Sequence, residues 1–475
     1  MAISKDLNKA IIRSITGKYA LYVIQILSLI LLSRIFTPEE FGVIAAVQVI
    51  ALFFQMVATS GLAPAVVFHD GLTDDKRDGI FSASILIGAV LAILFAFCSS
   101  PFLIWLGIED SWMLTILLSI NILFASVSML PVAALQKDAM FIKVSSAEVI
   151  AELVLLSVCL FLYFYYQWGL EALAIKILLT PFLRFVCYFY FSSHTQLGRP
   201  RIGKDIGAFG ELYQFAKFQV LFNFLNFFSR NLDTLLVTKY FGTAVVGFYD
   251  KSYQLMRYPL QLFTFAITPA LQPVLTKYKD QPDVVQKEFY RVASKLAVVG
   301  LFASNVLYWC AADVLFIMFG DQWFGATDIL KVLAVSIPLQ MVLSSTGGIY
   351  QAFGDTKSLF ICGVFSSVVN VSAIVIGIAM NDILWLCFLL IGAFILNFIQ
   401  CFWLMHKSVF IAVQPIKFLC LLTLCLLPYC NLFFFSVSDV YPDQLLTSFM
   451  DASFVTCISI AFSAVFFFMS KKVFG

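Results

Sequence analysis

Two sets of polar side chains run at helical spacing through segments that are otherwise apolar. In the first, Gln219, Asn223, Asn226, Arg230 and Asp233 follow one another in steps of three or four residues. In the second, Asp250, Gln254, Arg257, Gln261, Thr264 and Thr268 do the same. Such steps put each set on one face of a helix. Guanidinium groups can grip phosphate through two donors, and carboxylates can titrate or bind a cation. Arg230 and Arg257 fall near the middle of runs long enough to cross a bilayer, where a basic side chain costs about 2.5–3.5 kcal/mol on insertion scales. A continuous polar stripe there cannot face lipid. It lines a water-filled cavity, or it glues helices together, with Arg230 and Asp233 paired at i,i+3 and Asp250 paired to a neighbour.

A cationic cavity attracts an anionic cargo such as phosphate or an acidic sugar, whereas one for lipophilic cations would want acids without Arg. The substrate-binding candidates are Arg230, Arg257, Asn226, Gln254 and Gln261. Arg184 and Lys176, which flank Pro181 on the sixth run, join them. Asp233 and Asp250 are the ion-coupling candidates. Weaker counterparts on the first two runs are Lys18, Tyr22 and Gln25, and Gln48 and Gln55. Proline removes a backbone donor, so Pro181 predicts a kink. Lys217, Arg34, Lys239, Lys251 and Lys331 lie near run ends, where long stems let charges snorkel to the interface. Tyr240, Tyr249, Tyr253 and Tyr258 are readable either as sugar-stacking platforms or as interface anchors.

The elements that must hold these groups follow from composition. The 475 residues are 61% hydrophobic and only 12% charged. That excludes an ordinary soluble chain. Apolar runs of spanning length recur from end to end, and lipid offers no backbone partners, so helices are required. The expected class is an all-α integral membrane protein with about 14 transmembrane helices. The spans are 19–36, 41–67, 80–107, 112–135, 147–165, 170–192, 214–240, 246–271, 296–319, 326–353, 359–379, 383–404, 418–435 and 447–470. The basic N-terminal segment leads into a run that reads as a retained first helix. Loops on the terminal side hold 21 of the 30 Lys and Arg, and the opposite loops carry acids such as Glu39, Glu40, Glu109 and Asp110. Positive loops stay cytoplasmic, which places both termini inside.

His69, His194 and His406 fall in or beside those inner loops and are expected to be solvated. The eleven cysteines have no framework or metal spacing and read as small hydrophobes. The inner loop 193–213 is too short to fold alone. The charge-rich loop 272–295 is expected as an amphipathic helix lying on the inner leaflet. No phosphate loop, metal cluster or acid–histidine set appears, which argues against an ATP-driven pump. The longest outer connection, about 436–446, is short for a glycan polymerase or ligase.

A repeat adds to this picture. Arg34, Phe36 and Gly42 recur as Lys239, Phe241 and Gly247, an offset of 205 residues that also brings Pro64-Ala65 onto Pro269-Ala270. Two bundles on one plan usually enclose a pathway.

The segment from Leu32 to Gly42, with Arg34, Phe36, Thr37, Pro38 and Glu40, resembles the first-hairpin signature of the polysaccharide transporter (O-antigen flippase-like) family. That family lies within the multidrug/oligosaccharidyl-lipid/polysaccharide exporter superfamily. Ser229–Gly242 and Gly247–Tyr253 resemble its second-lobe signature, and Ala134–Phe141 its fourth-span exit. The resemblance implies two six-helix lobes in a V, at 1–195 and 196–410, and two extra helices in 411–475. It implies movement of undecaprenyl-diphosphate-linked oligosaccharide across the bacterial inner membrane by alternating access, with H+ or Na+ as candidate coupling ion and no other cofactor. Asn231 and Asp233 match the polar pair of the second signature, and Arg34 and Lys239 its hairpin base. Membrane lipids and polysaccharide polymerase machinery are the further candidate partners, and nucleic acid is not one. The competing readings are a multidrug or small-anion exporter of the same superfamily and, behind it, a membrane glycan ligase or polymerase.

Overall fold

The computed structural model describes residues 2–59, 66, 72–276, 281–409, 415–434, 453, 455–460, 462–464 and 466. Among them every regular element is helical. The chain divides into two compact units, Met1–Ala244 and Val245–Gly475.

The first unit holds α1 (Ala2–Ile35), α2 (Pro38–Thr59), α3 (Asp74–Leu106), α4 (Trp112–Lys137), α5 (Phe141–Tyr166), α6 (Leu170–Leu178), α7 (Thr180–Ser192) and α8 (Gly207–Phe241). The first-hairpin residues are a helix start. Thr37 Oγ1 accepts the Glu40 backbone NH, and Glu40 Oε2 accepts the Thr37 NH at 2.8 Å. That reciprocal pairing, with Pro38 as the first helical residue, is a capping box. Thr73 and Ser111 cap α3 and α4 by accepting the Lys76 and Leu114 backbone NH groups, and Gly107, at φ 79°, ends α3 in the left-handed region. α3 packs on α4, α4 on α7, α1 on α5, and α8 on α2 and α3. The position 195/196 lies within Met1–Ala244.

The sixth span is interrupted at Leu179, between α6 and α7, with Pro181 opening α7. A broken helix in hydrocarbon must satisfy its carbonyls from side chains. Asn121 Nδ2 donates to the Leu178 carbonyl at 2.8 Å, and Thr180 Oγ1 donates to the Lys176 carbonyl at 2.8 Å. Gln55 Nε2 in turn donates to Asn121 Oδ1 at 2.6 Å. The loop 193–206 does not hang free. Arg77 donates to the Leu197 carbonyl, while the Arg201 and Gly203 NH groups donate to Asp78 Oδ1 and Ser82 Oγ. The approach is so close that a Cβ at Gly79 would sit 1.9 Å from the Asp205 carbonyl oxygen.

The second unit takes most of α9 (Thr243–Thr276). It continues with α10 (Pro282–Trp309), α11 (Ala311–Met318), a 3-10 turn (Asp321–Ala326), α12 (Thr327–Ala334), α13 (Ile337–Phe353), α14 (Thr356–Ala379), α15 (Ile383–Ser408) and α16 (Pro415–Leu426). A 3-10 stretch, Leu427–Phe434, follows around Pro428. α10 packs on α12, α13 and α16, and α15 packs on α12, α13 and α14. Trp323, Tyr290, Tyr308, Tyr350, Phe398 and Phe402 fill the interior.

The surface helix expected within 272–295 is not there. Residues 282–295 are the first half of α10, which runs unbroken to Trp309. Val285, Gln286, Phe289, Tyr290 and Ala293 form a buried face along it, which a helix lying on a leaflet could not have. Pro282 presets the first turn, so a charged stretch still starts a core helix.

Among the described residues nine helices are long and apolar enough to cross a membrane, or ten if the bent pair Asp321–Ala334 and Ile337–Phe353, at 55°, is one span. The expected total of about 14 is compatible with this, since most of 447–470 and the stretch around 60–71 lie outside the described residues. So do His69 and the Pro64-Ala65 half of the repeat. α8 and α9 are 35 and 34 residues long, yet neither is among the nine. These are the two helices that carry the polar stripes.

Asn121→Ala is expected to lower unfolding stability by about 1–3 kcal/mol, because the Leu178 carbonyl and Gln55 lose a buried partner. Gly79→Ala should cost a comparable amount, about 1–3 kcal/mol, by forcing the docked loop off α3. Thermal unfolding in detergent reads both, and an unchanged Tm in either variant contradicts the contact it removes.

Candidate functional site

On α9 the buried and stripe residues separate cleanly. Tyr249, Ser252, Leu255 and Met256 are buried. Ser252 Oγ donates to the Ala326 carbonyl at 3.2 Å, and Met256 Sδ accepts from Ser336 and Gln340, so this face packs on the α12–α13 region. The stripe lies on the other side: Asp250, Gln254 and Gln261 are half-buried and Arg257 is exposed. Arg257 Cζ lies 4.6 Å from the centroid of the Tyr253 ring, one turn earlier. That contact holds the guanidinium without neutralising it. The side chains of Thr264 and Thr268, and of Pro269-Ala270, lie outside the described residues.

On α8, Arg230 is exposed while Asp233 is buried at 7%. Asp233 Oδ1 accepts the Thr234 backbone NH at 2.8 Å. Asn231 Nδ2 donates to the Phe227 carbonyl of its own helix at 2.8 Å. Among the described residues no ion pair joins Arg230 to Asp233, the pairing on which the glued-helix alternative rested. The side chains of Lys217, Gln219, Asn223 and Asn226 lie outside the described residues.

The sixth span holds its charges differently. Lys176 Nζ meets Glu152 Oε1 of α5 at 2.7 Å, with the two side chains 12% and 8% exposed. One turn earlier on α5, Glu148 Oε1 accepts the Tyr188 hydroxyl of α7 at 3.4 Å. Arg184, one turn before Tyr188, is half-buried with its Nε shielded and without a hydrogen-bond partner among the described residues. Glu148 and Glu152 were not singled out from the sequence. The signal was available: two acids four residues apart in an apolar run, with an unexplained lysine on the next span.

Other expectations change. Lys251 and Lys331 do not snorkel. They are 4% and 5% exposed, with Lys251 Nζ 3.9 Å from Asp250 Oδ2 and Lys331 Nζ 5.8 Å from the Tyr308 ring. Arg34 and Lys239 are exposed, and Lys239 lies over Trp105. Tyr249 is 1% exposed and belongs to the core, so it is neither platform nor anchor. His406 is not simply solvated, since it lies 3.1 Å from the Tyr290 hydroxyl. All eleven cysteines are free. Among the described residues no cluster could hold a metal ion. On the first two helices Lys18 and Gln48 are exposed, while Tyr22, Gln25 and Gln55 are half-buried.

Residues 31–328 match the family described as "Polysaccharide biosynthesis protein". The teichuronic acid biosynthesis protein TuaB of Bacillus subtilis is 23% identical over 71% of this chain and 69% of its own. The lipopolysaccharide biosynthesis protein WzxC of Escherichia coli is 23% identical over 80% and 76%. In fold, the chain is similar to the lipid II flippase MurJ in an inward closed conformation. The TM-score is 0.73 at 14% identity, covering 94% of this chain and 97% of that one. An inward-facing multidrug MATE transporter gives a TM-score of 0.60 at 13% identity, over 82% and 95%. The chain is thus a multi-pass membrane protein that belongs to the polysaccharide biosynthesis protein family.

Proposed function

We propose that this protein is a flippase that carries polyprenyl-diphosphate-linked oligosaccharide from the inner to the outer leaflet of a bacterial inner membrane. The observation that carries the reading is the exposed Arg257 on the polar stripe of α9. It is held on Tyr253, with no carboxylate paired to it among the described residues, on a helix whose opposite face is packed. An Arg kept accessible on so long a helix is suited to an anion, and a diphosphate offers it two acceptors. Family membership and the fold shared with a lipid II flippase support the same reading. So do relatives named for teichuronic acid biosynthesis, for lipopolysaccharide biosynthesis and, from Rhizobium meliloti, for succinoglycan biosynthesis transport.

In this proposal Arg230 and Arg257 hold the diphosphate, and Asn226, Gln254 and Gln261 meet the glycan. Lys176 and Arg184 form a second cationic wall. The polyprenyl tail stays in lipid. Asp233 or Asp250 binds the coupling H+ or Na+, and the lobes alternate between inward and outward forms, which the cargo must bind unequally for transport to follow. Both termini lie in the cytoplasm, by the distribution of basic loops. The protein transports rather than catalyses, and polysaccharide polymerase machinery receives its product. A multidrug exporter shares the fold, but an exposed guanidinium at Arg257 disfavours lipophilic cations.

Arg257→Ala tests this. A charge-assisted hydrogen bond is worth about 1.5–3 kcal/mol, so cargo binding should weaken roughly ten- to a hundredfold. The measurement is translocation of a fluorescent polyprenyl-diphosphate oligosaccharide in proteoliposomes at matched protein level. Undiminished translocation removes Arg257 from the mechanism.

A further inference from the structure

We infer that Glu152 is a specificity-determining residue. It occupies Lys176 until a cargo of sufficient negative charge displaces it. The inference rests on the flippase reading and goes beyond it, to the headgroup charge that the carrier accepts.

The geometry is that of a wall with one charge held and one open. α5 presents Glu148 and Glu152 on one face to α6 and α7. Glu152 takes Lys176 at 2.7 Å in a site where both side chains are nearly buried. Glu148 meets only a neutral phenol, Tyr188. Arg184, one turn from Tyr188, keeps a shielded Nε with no acceptor among the described residues. An anion that displaces the cover over Arg184 would find this donor unfilled, and the neighbouring ammonium already held by a carboxylate.

Exchange at Lys176 then depends on charge. A monophosphate, at about −1.5 to −2 near neutral pH, offers the ammonium only slightly more than Glu152 already gives it. A diphosphate carries more charge and more acceptor oxygens. Lys176 is well placed to change partner. It lies in the last turn of α6, at the break, on a flexible four-carbon stem. The carboxylate left behind faces the incoming anion in a medium that screens poorly, so occupation pushes α5 and α6 apart. One contact thus sets a threshold for the cargo and transmits its arrival.

The test uses the full chain in nanodiscs with two probes, farnesyl diphosphate and farnesyl monophosphate. The unmodified protein is expected to favour the diphosphate by about tenfold, the equivalent of one decade in Kd. Glu152→Gln should tighten the monophosphate by about tenfold and bring the two probes to within about threefold of each other. Glu152→Asp keeps the charge while shortening the reach, so it should shift both in the same direction by less. In Glu152→Gln/Lys176→Met the gain should vanish, which shows that it runs through Lys176. Wild-type selectivity in both Glu152→Gln and Glu152→Asp overturns the inference while leaving the flippase reading standing. Binding of neither probe by the unmodified protein overturns both.

Discussion

A charge inside hydrocarbon has few stable situations. It is paired, it is covered by protein, or it reaches water. The polar geometry of this chain is a sorting among them. Lys176 is paired with Glu152. Lys251 and Lys331 are buried in protein, Lys251 with its ammonium 3.9 Å from Asp250 Oδ2 and Lys331 over Tyr308. Arg230 and Arg257 are exposed. A buried pair adds little to stability over a well-packed apolar pair of similar volume, yet removing one partner leaves a stranded charge at a cost of about 3–5 kcal/mol. Paired charges are thus held for what they do together, and exposed ones for what they can meet.

The backbone obeys the same rule. Lipid cannot satisfy a free carbonyl, so each interruption of a helix needs a local partner. At Leu179 the partners are Asn121 and Thr180. At Ser336 the hydroxyl bonds back to the Leu333 carbonyl and also reaches Met256 of α9. A polar residue buried beside a break therefore does not by itself mark a binding site. Asn121, buried at 4%, is fully used in closing one.

Helix identity and the described part of the α9 stripe were legible because period and hydropathy report a residue's own helix. The α9 stripe at Asp250, Gln254, Arg257 and Gln261 falls on the face away from the packed residues, as its spacing required. What spacing does not report is the partner. Lys251 and Lys331 sit at sequence positions where snorkelling is open to them, and only the neighbouring helices decide that they are covered. The first turn of α3 was lost for a related reason. Asp74–Asp78 is charged enough to read as loop, although acids in a first turn favour a helix start. Tyr249 and His406 were misplaced because an aromatic near a span end has the same sequence signature whether it anchors, stacks or packs.

The two broken spans share a plan that separates them from α8 and α9. Each has a short first half with an acid in its first turn and a lysine in its last: Glu171 and Lys176 in α6, Asp328 and Lys331 in α12. Each second half opens on proline, Pro181 or Pro338. A cation in the last turn complements the negative end of a helix, and an interruption supplies such an end within the run. Lysine is therefore stabilised at a break by the backbone as well as by its side-chain contact. It can be buried there at lower cost than on a continuous helix. Arg230 and Arg257 sit on unbroken helices of 35 and 34 residues, where no such terminus is near. Without that help, solvent is the remaining way to hold their charge. Where the helices break and where they run on thus decides which cations stay accessible to a passing anion.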